Sequence, residues 1–287
     1  MQFVYIVSGL IVFLIGGLVF LLIIERMRVR GIIVRALNMS LFLIRVPKET
    51  KEDLSTEEKK NRIGVMEQFL SSLISLKEKG SAIQFSYGQP YIVLEMSVPF
   101  DSPETHFYLA VPKKYETFLE KEVYGFYPHA TVQKVEDYNI FHPEGYCAGG
   151  FFKLEKNSIL PLKTYKELEI DPLENISTAI SKIEETGEGG AIQLVIKPAS
   201  KNWNTFGLLV AKRINQGLSF KDALKGKLIK KPKKDEPQVQ VKTSPADEET
   251  IKYLQAKASK MGFEVNIRLL FTSKAQERAE ELLSHSG

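Results

Sequence analysis

The sequence predicts an α+β protein, and three observations carry the prediction. Residues 3–24 (FVYIVSGLIVFLIGGLVFLLII) form an unbroken apolar run without a charge. From residue 36 to 141, segments of period two and segments of three- and four-residue spacing follow in the order strand, helix, strand, strand, helix, strand. From residue 142 the order begins again and stops one strand short. The expected fold is one N-terminal transmembrane helix followed by two ferredoxin-like units of the βαββαβ type, the second interrupted by a helical insertion and lacking its last strand. The boundaries expected are an anchor with a basic flank over 1–35, a first unit over 36–141 and a second over 142–287.

The opening run is long enough to cross a bilayer. About 22 residues at ~1.5 Å rise make a helix of roughly 33 Å, against a hydrocarbon layer of about 30 Å. A cleaved signal peptide needs a basic start, a shorter apolar core and a small-residue cleavage site. Here nothing basic precedes the run, and ERMRVR follows it. Arg26, Arg28, Arg30 and Arg35 crowd the C-terminal flank with only Glu25 against them. The positive-inside rule then puts the N-terminus outside and the bulk of the chain in the cytoplasm of a single-pass inner-membrane protein, the arginines lying at the lipid head groups.

Residues 36–47 (ALNMSLFLIRVP) alternate as a strand that Pro47 stops. Ser55, with Glu58 three residues on, has the spacing of a capping box for the next helix, whose apolar residues Ile63, Met66, Phe69, Leu70, Leu73 and Ile74 share one face; Gly80 is its expected end. Residues 83–87 and 91–99 are expected as one broken strand, and 106–112 as its hairpin partner across Asp101-Ser102-Pro103. A helix over 113–126 and a strand over 130–138 complete the first unit. In the second, a strand starts at Tyr146, and Asp171-Pro172 suits the start of a helix ending near Gly187. Residues 191–199 are a strand, 203–216 a helix, 248–261 a helix, 263–271 a strand and 275–283 a final helix. AIQFSY in one half and AIQLVI in the other suggest an internal duplication. Residues 226–247, with lysines and three prolines, are expected as a linker. A sheet one strand short exposes an edge, which suggests a chain continuing past Gly287.

Composition excludes several classes. Hydrophobic content of 44% with 26% charged residues marks a globular chain, and the single cysteine, Cys147, rules out a disulfide framework. The net charge of +4 is too small to argue for nucleic acid. The basic residues do cluster between 197 and 234, opposed only by Asp222. Lys230, Lys231, Lys233 and Lys234 suit phosphates of DNA or anionic lipid in a salt-sensitive contact; the competing expectation is a solvated linker.

No phosphate cradle is present: Gly226-Lys227 is followed by Leu228 and lacks the upstream glycine. No G-x-G-x-x-G, C-x-x-C, H-E-x-x-H or G-x-S-x-G occurs either. His142 and Cys147 lie five residues apart, a spacing better explained by a turn histidine and a buried small cysteine than by a metal site. The neighbouring carboxylates Glu184-Glu185 and Glu280-Glu281 suit solvent-facing helix positions. No catalytic, metal or cofactor residue is assigned.

The stretch ILPLKTYKELEIDPLENISTAISKI (159–183) with GEGGAIQLVIKPASKNW (187–203) resembles the membrane-proximal N-terminal region of type IV secretion and conjugative DNA-transfer ATPases, motors of the HerA/FtsK-like kind. RVPKE (45–49), MEQFLSSL (66–73), HFYLAVPKKYETFLEKEVYGFYP (106–128), VEDYNIF (135–141) and GFEVNIRLLF (262–271) fit the same region. The resemblance implies a non-catalytic module that anchors and assembles a translocation ATPase in the membrane, with the bilayer, further copies of itself or an ATPase as partners, and DNA as a further candidate. The P-loop and metal-binding acidic motif of that family have no counterpart within these residues. The alternative is an independent membrane-bound cytoplasmic scaffold or adaptor that binds a partner protein.

Overall fold

The computed structural model describes residues 2–47, 55–102, 104–168, 174–183, 187–200, 202–226 and 244–285. Helix α1 (Gln2–Leu37) is 36 residues long and does not stop at its basic flank; it runs to Leu37, so strand β1 (Met39–Arg45) starts later than the alternation suggests. Helix α2 (Thr56–Ser72) opens with the expected capping box, the Ser55 hydroxyl accepting from the Glu58 N–H and the Glu58 carboxylate accepting from the Ser55 N–H. It ends well before Gly80, tightening into a 3-10 turn at Leu73–Leu76. Hydroxyls of Ser71, Ser72 and Ser75 bond back to the carbonyls of Glu67, Phe69 and Ser72 there, a competition that weakens helix interiors.

Residues 83–87 are not a strand. They lie in helix α3 (Ser81–Tyr87), whose alternating Ile83, Phe85 and Tyr87 are about half exposed. The rings of Phe85 and Tyr87 serve α1 instead of the sheet: Arg28 lies 6.0 Å from the Phe85 centroid and Arg35 5.8 Å from that of Tyr87. Strands β2 (Ile92–Val98) and β3 (His106–Pro112), helix α4 (Glu116–Phe126) and strand β4 (Thr131–Val135) complete the first half.

The second half comprises β5 (Tyr146–Phe151), α5 (Glu174–Ser181), β6 (Gly189–Pro198), an insertion of α6 (Trp203–Asn215), α7 (Phe220–Leu224) and α8 (Pro245–Ala258), then β7 (Phe263–Ser273) and α9 (Gln276–Ser284). The helix start expected at Asp171-Pro172 lies outside the described residues. Residues 245–247 belong to α8 and not to the linker: Ser244 and Asp247 form a second capping box, with Pro245 in the first turn, where its missing N–H costs nothing.

The seven strands of the described residues form one antiparallel sheet in the order β4-β1-β3-β2-β6-β7-β5. The halves meet at β2 and β6, paired from Ile92↔Ile196 to Val98↔Gly190. The corresponding strands of the two halves are therefore β2 and β6. The AIQ repeat noted above falls on α3 and β6, so it does not mark equivalent positions.

Helices α2, α4, α5 and α9 cover one face. Phe42, Ile92, Leu109, Val111 and Ile196 point from the sheet into a core closed by Phe69 and Leu73 on one side and Leu119 and Val123 on the other. Ile192, Leu269 and Phe271 do the same beneath Ala179, Ile180 and Leu282 of α5 and α9. Fully burying each large apolar side chain contributes about 1.5–3 kcal/mol, so this face holds the sheet together. The insertion has a separate core of Val210, Ala211, Ile214, Ala223 and Leu254. It is clasped to the rest where Lys257 Nζ donates to the Ser158 and Leu160 carbonyls at 2.6 and 2.8 Å and Lys260 meets Glu67 at 2.9 Å.

Among the described residues no helix is long and apolar enough to cross a membrane. Side chains of α1 are described continuously from Phe13, and the uncharged stretch from there closes at Ile24, before Glu25 and Arg26. On its own that stretch is shorter than the ~20 residues a bilayer span needs, so the span expected over residues 3–24 is not supported among the described residues.

Candidate docking trough on the open sheet face

The opposite face of the sheet is open except where the chain after β4 crosses it. Alternation along each strand sends Met39 and Leu41 of β1, Ala110 of β3, Val93 and Glu95 of β2, Val195 and Gln193 of β6, and Arg268 and Leu270 of β7 to this side. Together with the chain after β4 they line an open trough of about 950 Å³. Register aligns one transverse row: Leu43 opposite Tyr108, Tyr108 opposite Glu95, Glu95 opposite Gln193, Gln193 opposite Arg268. A polar band thus crosses an apolar floor at the join of the two halves.

Glu95 is the centre of that band. Its carboxylate accepts from the Tyr138 hydroxyl and from Gln193 Nε2, the latter at 3.1 Å. Burial pushes the Glu95 carboxyl above its ordinary range, the two hydrogen bonds opposing the rise and the nearby Asp137 adding to it. Burial and the Glu95 charge together raise the Tyr138 phenol strongly, so it stays a donor. The Tyr138 ring stacks on Tyr108, centroids 4.3 Å apart and planes within 9°. The segment carrying Tyr138 is strapped to the sheet: Phe100 N–H donates to the Asn139 carbonyl at 3.3 Å, and the Thr272 hydroxyl to the Ile140 carbonyl. Gly189 makes room for this strap, since a Cβ there would overlap the Ile140 oxygen.

This chemistry suits docking. The described lining has no serine, threonine, cysteine or histidine. Its lysine, Lys197, is paired with Glu264 at 2.8 Å. Both Glu95 oxygens are taken by donors, and among the described residues no His, Cys, Asp or Glu group could hold a metal ion. An open face mixing apolar floor with a few fixed polar groups fits a polypeptide surface.

The basic flank of α1 divides. Arg26 and Arg30 are exposed, and Arg28 reaches Phe85. Arg35 is not a head-group residue: its side chain is 9% exposed, donates to the Gly88 carbonyl at 2.6 Å and lies 3.8 Å from Glu78. Glu78 also holds Lys114 and the Tyr115 hydroxyl. The Lys114 hydrogen bond leads in holding the Glu78 carboxyl below its usual range. Gly31 completes the joint, because a Cβ there would overlap the Ser86 carbonyl of α3. Lys230, Lys231, Lys233, Lys234, Glu184 and Glu185 lie outside the described residues. His142 and Cys147 do not form a pair: His142 Nδ1 accepts from the Glu144 N–H at 3.1 Å, and Cys147 is not the buried cysteine expected but an exposed free thiol, because it lies on the edge strand β5 on the side away from α9.

Glu95, Gln193, Tyr108 and Tyr138 were not singled out from the sequence. The signal present was a polar residue in the middle of each of two apolar strands, LEM and IQL, which becomes informative only once the register sets one opposite the other.

Fold and trough define a mixed α/β protein built on a one-sided seven-stranded antiparallel sheet. Residues 47–285 match the family described as Domain of unknown function (DUF8128), and the chain belongs to that family. No curated protein matches it.

Proposed function

We propose that this chain is a non-catalytic module that anchors and assembles a larger translocation machine at the membrane, its partner being an ATPase of the type IV secretion or conjugative DNA-transfer kind that the sequence resembles. The observation that carries the anchoring is the chemistry of α1. Phe13, Leu14, Ile15, Leu18, Phe20 and Leu21 are all more than half exposed, on every side of the helix. A helix resting on a protein core shows a single apolar stripe; one apolar all round needs an apolar solvent. With residues 3–12 added, the run has the length of a single bilayer span, and the arginines give it an N-out direction. Through Arg35, Gly31 and α3, the anchor is fixed to the sheet instead of hanging from it by a flexible tether.

In this reading each half is a ferredoxin-like unit. The order β4-β1-β3-β2 with α2 and α4 on one face supports that assignment for the first, and β5, α5, β6, β7 and α9 follow the same plan without a fourth strand. The trough is the docking face for the partner. The test has two arms, both on the full chain in bacterial cells. Membranes washed with alkaline carbonate should retain the chain, while Leu18→Arg with Leu21→Arg should release it; release of the unaltered chain overturns the anchor. A photo-crosslinking residue at Val195 should capture a polypeptide bearing a P-loop. Capture of a protein without one moves the assignment to an independent scaffold, a role the same open face would serve.

A further inference from the structure

Among the described residues the last strand in the sheet order, β5, has an unpaired edge. Phe152 N–H donates to the Ile267 carbonyl at 3.0 Å. By antiparallel alternation Tyr146, Ala148 and Gly150 turn their backbone groups to β7, while Cys147, Gly149 and Phe151 turn theirs outward. Those three residues are exposed, Phe151 by 69%. Among the described residues β5 pairs with β7 alone. The opposite edge is different: β4 carries Lys134, paired with Glu116 at 2.8 Å, and an edge charge of this kind discourages strand addition. The β5 sequence, YCAGGF, has neither charge nor proline.

We propose that β5 is a self-association edge, pairing antiparallel with β5 of a second copy about Gly149 and joining two sheets into one. In the first half the corresponding flank of β1 is taken by that half's own fourth strand, β4; in the second half no described strand takes it, and the second copy would supply it. The β2–β6 join shows that two such halves meet edge to edge. The strand is complementary to itself. Pairing about Gly149 sets Tyr146 against the partner's Phe152, Ala148 against the partner's Gly150, and Cys147 against the partner's Phe151. Cross-strand aromatic and apolar pairs of this kind stabilise a ladder, and no like charges meet. The helix layer also fits. Helix α9 packs over β5 and β7, with Leu283 against Gly150. Strands about 4.8 Å apart then place the two α9 axes roughly 10 Å apart, at helix-packing distance.

The test uses the full chain in detergent, where Cys147 is the only cysteine. Opposed residues of such a pair have Cα atoms about 5.5 Å apart, within disulfide range. Phe151→Cys should therefore give a covalent dimer under mild oxidation, Cys147 bonding to the partner's new thiol. The unaltered chain should not, because its two Cys147 residues lie about 13 Å apart at four residues' offset. Light scattering should report a dimer for the unaltered chain and a monomer for Phe151→Lys, which puts a charge on an exposed position without touching the core. A monomeric unaltered chain overturns the proposal. So does a dimer that survives Phe151→Lys without cross-linking through Phe151→Cys, or one that cross-links through Cys147 alone.

Discussion

Glu95 carries most of the polar chemistry of the open face, and its titration is the sharpest handle on it. Because burial raises its carboxyl in the folded chain, its contribution to stability is full below the unfolded value, near 4.5. That contribution is lost as pH rises through the folded value. Glu95→Gln keeps a polar partner for Tyr138 and Gln193 but cannot ionise. Urea unfolding between about pH 4 and 8 should show the variant gaining on the native chain as pH rises; a pH-independent difference would mean that Glu95 does not titrate on folding. Tyr138→Phe removes one of the two donors on this carboxylate and should cost about 1–3 kcal/mol in the same assay, more at high pH than at low. Neither residue was conspicuous in the sequence. Period-two alternation identified both strands, but which polar residue faces which neighbour is fixed by register, a long-range property that local spacing does not contain.

At the scale of elements, the joint between α1 and α3 was the least legible feature. Residues 83–87 alternate like a strand, and the local pattern lost to tertiary packing: Gly31 admits the Ser86 carbonyl, and Arg28 and Arg35 take the two aromatic rings. The arginines were conspicuous as a group, yet nothing in their spacing separates Arg35, which is buried in a hydrogen-bonded joint, from Arg26 and Arg30, which are exposed. Gly31→Ala should force α3 off α1 and cost about 1–3 kcal/mol. Hydrogen exchange should rise at α3 and the C-terminal turns of α1 while the sheet stays protected. Glu78 behaves oppositely to Glu95. Its lowered carboxyl contributes stability above the ordinary value near 4.5, lost as pH falls through the folded value. Acid should therefore loosen this joint, and Glu78→Gln should flatten that part of the acid limb. The helical insertion was legible as helices, since Leu209, Val210 and Ile214 keep helical spacing. Its own core predicts that Leu254→Ala, worth about 2–5 kcal/mol, unfolds α6, α7 and α8 before the sheet, seen as two separate transitions in place of one.

For the whole molecule, the order of strands and helices was legible apart from α3 and α7, because each half alternates between period two and period 3.6. The fusion of the halves was not. It depends on β2 and β6 each presenting an open edge, and the AIQ repeat pointed elsewhere by matching a helix to a strand. What results is a long helix joined through Arg35 and Gly31 to the segment around α3, beside a continuous sheet with α2, α4, α5 and α9 on one side and the trough on the other. In the proposed role, α1 as an anchor would set the direction in which the trough and the β5 edge face. The most direct measurement places a single thiol, Glu104→Cys with Cys147→Ser, on the turn between β2 and β3 and exposes bacterial spheroplasts to a membrane-impermeant maleimide. The chain should stay membrane-bound and be labelled only after permeabilisation. Labelling in intact spheroplasts, or recovery of the chain in the soluble fraction, would contradict it.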